Sequence, residues 1–247
     1  MDNRSAIEAE HLCFWALIPV IGPKAGNAFW KVHEKSLVTM ATEVALSVTG
    51  INRTMVITAE PYVWDEILLD DRTDVLEIDP PFQEFEMSSL FPQIFDKVGR
   101  ITGEDTDCDG MVILDPFCPL RRPGHVNDAI MLYASQAGQP RPWLSVISVD
   151  LLPNHFHPRK ILKLTDSGEL DHFDEKGREV YRRQQLDGDD YFRKNGTVHI
   201  IDPRAGMSSS SKNGEMLGYI IEEPLVTVED RFGLNLARAL SSAQIEG

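Results

Sequence analysis

The stretch Phe14-Trp-Ala-Leu-Ile-Pro-Val20, followed at once by Ile21-Gly-Pro-Lys-Ala-Gly26, decides the fold class of this chain. Its unbroken apolar run fits a strand that is buried on both faces, as the strands of a parallel sheet are. The glycines after it are typical of the turn that leads from such a strand into the next helix. This stretch is therefore predicted to be a βα unit, the building block of α/β proteins.

The same alternation of short apolar runs and amphipathic stretches continues along the chain, which predicts an α/β fold with a mostly parallel central sheet. With 42% hydrophobic residues, all 247 residues fit one domain, 1–247. The further strands are predicted at 53–58, 111–114, 144–149, 197–201 and 225–228. The helices are predicted at 35–48, 85–98 and 126–137, with a closing helix marked by Phe232, Leu236 and Leu240.

Residues 151–190 interrupt this alternation. They are polar, charged and rich in turn residues, and Lys160–Leu164 is their only strand-like run. We therefore expect them to form an arm or hairpin that leaves the main sheet.

Composition excludes several classes of partner. Lys and Arg total 24 against 39 Asp and Glu, a formal charge of -15, so binding to nucleic acid phosphates is disfavoured. The longest apolar run, Leu12–Ile21, contains Pro19 and is about half as long as the roughly 20 residues of a membrane helix, and no export signal is recognised. Three cysteines without CxxC spacing fit a reducing compartment, so a cytoplasmic protein is expected.

Two local features point to the carboxyl edge of the predicted sheet, where open α/β folds bind ligands. Backbone N–H groups of the turn at 22–26 could cradle phosphates together with Lys24, but a simple strand-to-helix turn has the same pattern. Asp115 ends a predicted buried strand at that edge. Its carboxylate fits a ligand site, and it equally fits a cap of the turn into Pro116.

Six segments in order resemble one family, the acylneuraminate (CMP-sialic acid type) cytidylyltransferases. The similarity extends over roughly residues 12–242. It is carried by Phe14–Pro19 with its glycine turn, Lys35-Ser-Leu37, Met55-Val-Ile-Thr-Ala-Glu60, Asp115-Pro-Phe-Cys-Pro-Leu-Arg121, Arg182-Arg-Gln184 with Tyr191 to Asn195-Gly196, and Leu225-Val-Thr-Val-Glu-Asp230.

The resemblance implies a three-layer nucleotidyltransferase-like fold of the nucleotide-diphospho-sugar transferase type, and a homodimer with the arm at 151–190 reaching the partner subunit. It also implies transfer of CMP from CTP to an acidic sugar, with Mg²⁺ or Mn²⁺ at the phosphates. By position in these motifs, Gly22, Lys24 and Gly26 would bind phosphates, and Thr58 and Ala59 the cytosine and ribose. Asp115, Arg121, Gln184 and Asn195 would bind the sugar, Lys24 and Glu229 would be catalytic, and Glu229 would hold the metal.

Several positions depart from the family pattern, which leaves alternatives open. Ile21 stands where the phosphate loop has an arginine, and Thr227, Glu229 and Gly233 replace the three acids of the closing motif. One alternative is a catalytically degenerate homologue that binds an acidic sugar or nucleotide without transfer. Another is a transferase that uses a different nucleotide and sugar.

Overall fold

The computed structural model of the protein describes residues 12–59, 71–78, 90–102, 108–136, 139, 143–179, 190–206 and 214–245. The strands in these ranges are β1 (Phe14–Val20), β2 (Lys31–Val32), β3 (Lys35–Ser36), β4 (Ile51–Thr58), β5 (Thr73–Glu77), β6 (Gly110–Ile113), β7 (Leu144–Leu151), β8 (Leu162–Leu164), β9 (Leu170–His172), β10 (Phe192–Ile201) and β11 (Glu215–Ile220). The α-helices are α1 (Leu37–Ser47), α2 (Phe91–Thr102), α3 (Pro123–Gln136) and α4 (Arg231–Ile245).

Seven strands form the main sheet, in the order β11-β7-β10-β6-β1-β4-β5. Only β10 is antiparallel to its neighbours, and every other adjacent pair is parallel. The predicted α/β fold with a mostly parallel sheet is thus confirmed. The strand order reverses between β1 and β6, and a crevice for ligands opens at such a point in α/β sheets.

Helices cover both faces of the sheet, which gives three layers. Alternate residues of β1 point to opposite faces, so Phe14, Ala16 and Ile18 join one core cluster and Trp15 and Leu17 the other. The first cluster contains residues of α1 and α3, and the second contains residues of α2. A third cluster, with Val32, Leu120, Val228 and Leu234, attaches α4 to the hairpin of β2 and β3.

The predicted elements agree with the structure where apolar periodicity is strong. The strand at 14–20 is found as predicted, and the helix predicted at 35–48 spans 37–47 because the Ser36 hydroxyl accepts a hydrogen bond from Thr39 N (3.2 Å) and caps it. The arm predicted at 151–190 contains the hairpin of β8 and β9, and its residues 180–189 lie outside the described part of the chain. No helix in the described ranges is long and apolar enough to cross a membrane.

The strand predicted at 225–228 was wrong. This segment forms no ladder, and the Val228 N–H is bonded to the carbonyl of Phe117 (2.8 Å). Val226 and Val228 are buried in the third cluster, so their period-2 pattern reflects alternating burial without a neighbouring strand. The edge strand beside β7 is β11, which the sequence reading missed, as it did β5.

A histidine in the sheet makes stability depend on pH. Ser145 Oγ and His199 Nε2, on β7 and β10, are 2.9 Å apart, and burial together with Lys194 lowers the pKa of His199 from 6.5 to about 4. The unfolded chain therefore takes up a proton between about pH 6.5 and pH 4, whereas the folded chain does not. Over this window the free energy of unfolding should fall as pH falls, by on the order of 3 kcal/mol from this group.

We expect His199→Gln to remove this part of the pH dependence, measured as urea unfolding at about pH 7, 5.5 and 4.5. The matched control is His155→Gln, because His155 is exposed. The assignment is wrong if both variants keep the wild-type slope of stability against pH.

Candidate functional site

The carboxyl edge of the sheet brings together most of the residues that the sequence predicted for a site. β1 lies between β4 and β6, so the turn after Val20, the residues Thr58 and Ala59, and the loop from Asp115 follow three neighbouring parallel strands. Because β10 runs the other way, its first residues, including Asn195, lie at this same edge. The ends of three parallel strands and the start of one antiparallel strand thus form one candidate site.

The turn after β1 presents backbone and one cation to this edge. Gly22 has φ +87°, a conformation that favours glycine, and its carbonyl accepts a hydrogen bond from Ala25 N (3.1 Å). Lys24 and Gly26 are exposed, and a short 3₁₀ helix, Ala25–Phe29, follows. Thr58 is fully buried at the end of β4, while Ala59 after it is half-buried. This side of the site is therefore open backbone beside an exposed ammonium group.

A wide bulge in β10 shapes the other side. Lys194 pairs with Val149 and His199 with Ile147, so residues 195–198 stand opposite Ser148 alone. Ser148 Oγ fills the break in the ladder by donating to Asn195 Oδ1 (2.6 Å) and accepting from Val198 N (2.8 Å). Asn195 Oδ1 also accepts from Thr197 N (3.1 Å). Bulges of this kind occur often beside active sites, where they redirect the chain.

The guanidinium of Arg121 holds the bulge against the loop after β6. Nε donates to the carbonyl of Thr197 (2.5 Å), and Nη2 donates to the carbonyls of Asp115 (2.5 Å) and Gly196 (3.3 Å). The residue is only 4% exposed, and burial lowers its pKa. Asn195 is 7% exposed, and Arg121 Nη1 and Asn195 Nδ2 are both buried with no hydrogen-bond partner among the described residues. In this conformation both side chains support backbone, rather than face the open edge.

The carboxyl group of Asp115 combines one bonded oxygen with one open one. Oδ1 accepts from Phe117 N (2.9 Å), whereas Oδ2 has no hydrogen bond to a described residue. Gly196 has φ +72°, and a Cβ there would lie 3.6 Å from this oxygen and 3.3 Å from Cys118 Sγ. Burial raises the pKa of Asp115, and it raises that of Cys118 to about 11. Glycine at this position thus leaves space beside Asp115 Oδ2, the oxygen that has no hydrogen bond to a described residue.

The segment at 227–229 crosses beside the same loop. The hydrogen bond from Val228 N to the carbonyl of Phe117 fixes it there, and Thr227 Oγ1 donates to the carbonyl of Asn195 (3.4 Å). Glu229, the predicted metal ligand, is exposed next to these contacts, and its carboxylate has no partner among the described residues. Nor does the described part of the chain hold any group of three His, Cys, Asp or Glu side chains suited to a metal.

Of the predicted sugar residues, the structure brings Asp115, Arg121 and Asn195 together, and Gln184 lies outside the described ranges with Arg182 and Arg183. Sequence reasoning missed Ser148 and Thr197. The only signal for Ser148 is a hydroxyl within the apolar run of β7, and a buried polar group in such a run needs a partner.

Comparisons with known proteins place the fold. No family model matches the sequence, and no curated protein matches it either. Among solved structures, the chain shares its α/β fold with several synthetases and synthases. One is CMP:2-keto-3-deoxy-manno-octonic acid synthetase complexed with CTP, with TM-score 0.60, 12% identity, and coverage of 94% of this chain and 99% of that chain.

Two others are 4-diphosphocytidyl-2C-methyl-D-erythritol synthases. The enzyme from Anaerococcus prevotii has TM-score 0.60 and 9% identity, covering 96% of this chain and 99% of that one. The second has TM-score 0.59 and 12% identity, covering 93% and 98%. At such identities the similarity shows the fold alone.

We expect Ser148→Ala to loosen the bulge. The change removes a donor to Asn195 Oδ1 and an acceptor for Val198 N–H in a buried place, so it should cost about 1–3 kcal/mol of stability. Amide hydrogen exchange at Thr197 and Val198 should become faster, as measured by NMR or mass spectrometry. The matched control is Ser145→Ala, since Ser145 is buried on the same strand and contacts His199 instead. Equal protection of these two amides in both variants would contradict this role of Ser148.

Proposed function

We propose that this protein is a cytidylyltransferase-like enzyme that transfers CMP from CTP to an acidic sugar, a sialic acid or a related nonulosonate, with release of pyrophosphate. The observation that carries the proposal is the carboxyl edge, where the turn at 22–26, the Asp115 loop and the segment at 227–229 meet. The fold supports it too. Solved structures with this fold include the CMP:2-keto-3-deoxy-manno-octonic acid synthetase complexed with CTP and a 4-diphosphocytidyl-2C-methyl-D-erythritol synthase.

In the proposed reaction the anomeric hydroxyl oxygen of the sugar bonds to the α-phosphorus of CTP. The bond from that phosphorus to the bridging oxygen of the β-phosphate breaks, and pyrophosphate leaves with the electron pair. The hydroxyl proton passes to solvent or a nearby base. Such transfers depend mainly on positioning and on stabilising the charge of the phosphates. Gly22 and Gly26 would offer close backbone approach, Lys24 the positive charge, and Thr58 and Ala59 contacts to the base and ribose.

We propose that a divalent cation, Mg²⁺ or Mn²⁺, binds at this edge between protein carboxylates and the substrate phosphates. Mg²⁺ binds oxygen ligands, commonly one or two carboxylates together with substrate phosphates. The exposed carboxylate of Glu229 and the open Oδ2 of Asp115, beside the space that Gly196 leaves, are such ligands. The cation would neutralise charge on the triphosphate when bound. Asp115, Arg121, Asn195 and Gln184 remain the residues proposed for the acid sugar, with Arg121 and Asn195 acting through the backbone they hold.

A second candidate is a homologue that binds an acidic sugar or nucleotide without transfer. One observation favours it: Thr227, which occupies a position where the family has an acid, donates its hydroxyl hydrogen bond to the carbonyl of Asn195. A hydroxyl used in this way contributes no carboxylate to a metal.

We expect pyrophosphate release only with CTP, an acidic sugar and Mg²⁺ or Mn²⁺, in an assay of all four nucleoside triphosphates with a panel of nonulosonic acids. Lys24→Ala and Glu229→Gln should each lower the rate at least tenfold, because charge-assisted contacts contribute about 1.5–3 kcal/mol. Lys31→Ala, at an exposed lysine of β2, is the matched control.

Release with another nucleotide would replace CTP in the proposal. No release with any pair, with binding of sugar or nucleotide intact, would favour the degenerate homologue.

We further propose a homodimer formed through the arm. Its hairpin exposes large apolar side chains, with Leu164 71%, Phe173 67% and Leu170 65% exposed. Leu164 and Leu170 are paired across the hairpin and therefore lie on the same face. Exposed apolar surface of this kind is typical of protein interfaces. A second copy of the chain is the occupant that the resemblance implies.

Light scattering should give twice the 27.8 kDa mass of the chain. The double variant Leu164→Asp, Leu170→Asp should be monomeric, because two buried charges would oppose association. The control is Phe232→Asp, which places a charge on the exposed face of α4 (77% exposed). If the wild-type protein has the 27.8 kDa mass of one chain, the dimer is ruled out.

A further inference from the structure

Arg231, the first residue of α4, lies where two segments of the candidate site meet. Its guanidinium carbon is 4.4 Å from the centroid of the Trp30 ring, close enough for a cation–π interaction. Trp30 directly follows the 3₁₀ helix that leaves the turn at 22–26, and Arg231 follows Glu229 by two residues. The stacked pair therefore joins the glycine turn to the segment at 227–229.

Backbone hydrogen bonds fix the Trp30 ring relative to the turn. Trp30 N–H donates to the carbonyl of Asn27 (3.0 Å), and Asn27 N–H donates to the carbonyl of Lys24 (2.9 Å). A 3₁₀ helix rises about 2 Å per residue, so the short helix separates the backbone of Trp30 from that of Lys24 by about 12 Å. The Lys24 ammonium and the stacked guanidinium thus flank one side of the turn.

Packing brings the same ring beside the other segments of the site. Trp30 lies against the third core cluster, which contains Val228 and is also contacted by Phe117 from the loop after β6. Glu229 and Arg231 are two residues apart, so their Cα atoms are at most about 7 Å from each other. A group bound at the Glu229 carboxylate is therefore within reach of the guanidinium.

The guanidinium of Arg231 is free to bind an anion. The residue is exposed, and it makes no hydrogen bond or ion pair with any residue that the structure describes. Other arginines near the edge are occupied, Arg121 with backbone carbonyls and Arg193 with the carboxylate of Asp150 (2.9 Å). A stacked guanidinium keeps its N–H donors in the plane of the group, where they suit phosphate oxygens.

The turn itself supplies little positive charge. Ile21 stands where the related phosphate loop has an arginine, and its half-buried side chain packs on the second core cluster. Among residues 21–26 only Lys24 is a cation. One ammonium leaves most of the charge of a triphosphate unopposed, so a second cation beside the turn would stabilise pyrophosphate as it leaves.

We propose that Arg231, held by Trp30, binds the β- and γ-phosphates of the nucleotide and stabilises the pyrophosphate that leaves. This inference rests on the proposed function for the identity of the nucleotide. It goes further, because it gives the task of the missing loop arginine to a residue from the other end of the chain. The terminal phosphates are specified because the proposed base and ribose contacts, Thr58 and Ala59, follow β4, whereas the third cluster is formed from other segments.

The test measures binding of inorganic pyrophosphate, CTP and CMP to the full chain by calorimetry, with Mg²⁺ present. Arg231→Gln should weaken binding of pyrophosphate and CTP about tenfold, as expected for the loss of a charge-assisted contact, and should leave CMP within about twofold of wild type. Arg231→Lys should keep more of the affinity for pyrophosphate than Arg231→Gln, because it keeps the charge. Higher ionic strength should narrow the difference between wild type and Arg231→Gln.

The matched control is Arg238→Gln. It removes a positive charge from the same helix, together with hydrogen bonds to the carbonyl of Lys31 (2.7 and 3.0 Å). It therefore reports any effect of a more loosely attached α4 without changing the stacked pair.

The outcomes separate this inference from the proposed function. Equal binding of pyrophosphate by wild type and Arg231→Gln would overturn the assignment, as would equal weakening of all three ligands or the same loss in Arg238→Gln. Transfer of CMP would still stand if the wild-type protein releases pyrophosphate from CTP. Selective loss in Arg231→Gln without such release would support the phosphate contact and overturn transfer. Failure of the wild-type protein to bind both CTP and pyrophosphate would overturn the two together.

Discussion

The buried guanidinium of Arg121 is the interaction on which the candidate site depends. Three carbonyls from two distant segments, at Asp115 and at Gly196 and Thr197, point at one side chain. A bulge that leaves a β-ladder would otherwise bury unpaired carbonyl groups, which is costly. Arginine suits the position because its planar group carries several donors and stays charged when buried. Its contacts fix the loop after β6 against the start of β10.

Around this contact the site contains two groups of side chains: buried ones that hydrogen-bond to the backbone, and others that a ligand can reach. Ser148, Asn195 and Arg121 are occupied with backbone, and together they hold Gly196 beside Asp115. The groups that can meet a ligand are the exposed Lys24 and Glu229 and the open oxygen of Asp115. Side chains that a sequence motif assigns to ligand binding can therefore act indirectly, by holding the backbone beside the ligand site.

How far the sequence predicted the structure varied with burial. β1, β4, β6 and β7 were recognised because residues buried on both faces leave continuous apolar runs. β11 was missed because an edge strand with alternating exposure and Gly218 has a weak signal. The segment at 225–228 has the composition of a strand, yet the carbonyl that it meets belongs to a loop. Of the candidate site, the sequence predicted the carboxyl edge and the proximity of Asp115, Arg121 and Asn195, whereas it did not predict their hydrogen bonds. Their role in binding a sugar stays a prediction.

By itself the sequence determined the βα alternation, the mostly parallel sheet and the loops that reach its carboxyl edge. These follow from local apolar periodicity and turn residues, which act over a few residues. The tertiary structure alone decided that β10 enters the sheet antiparallel with a bulge, that Ser148 completes its ladder, and that Arg121 points inward. These features depend on hydrogen bonds between segments far apart in the chain, because a polar side chain takes its direction from the partner that the fold brings to it.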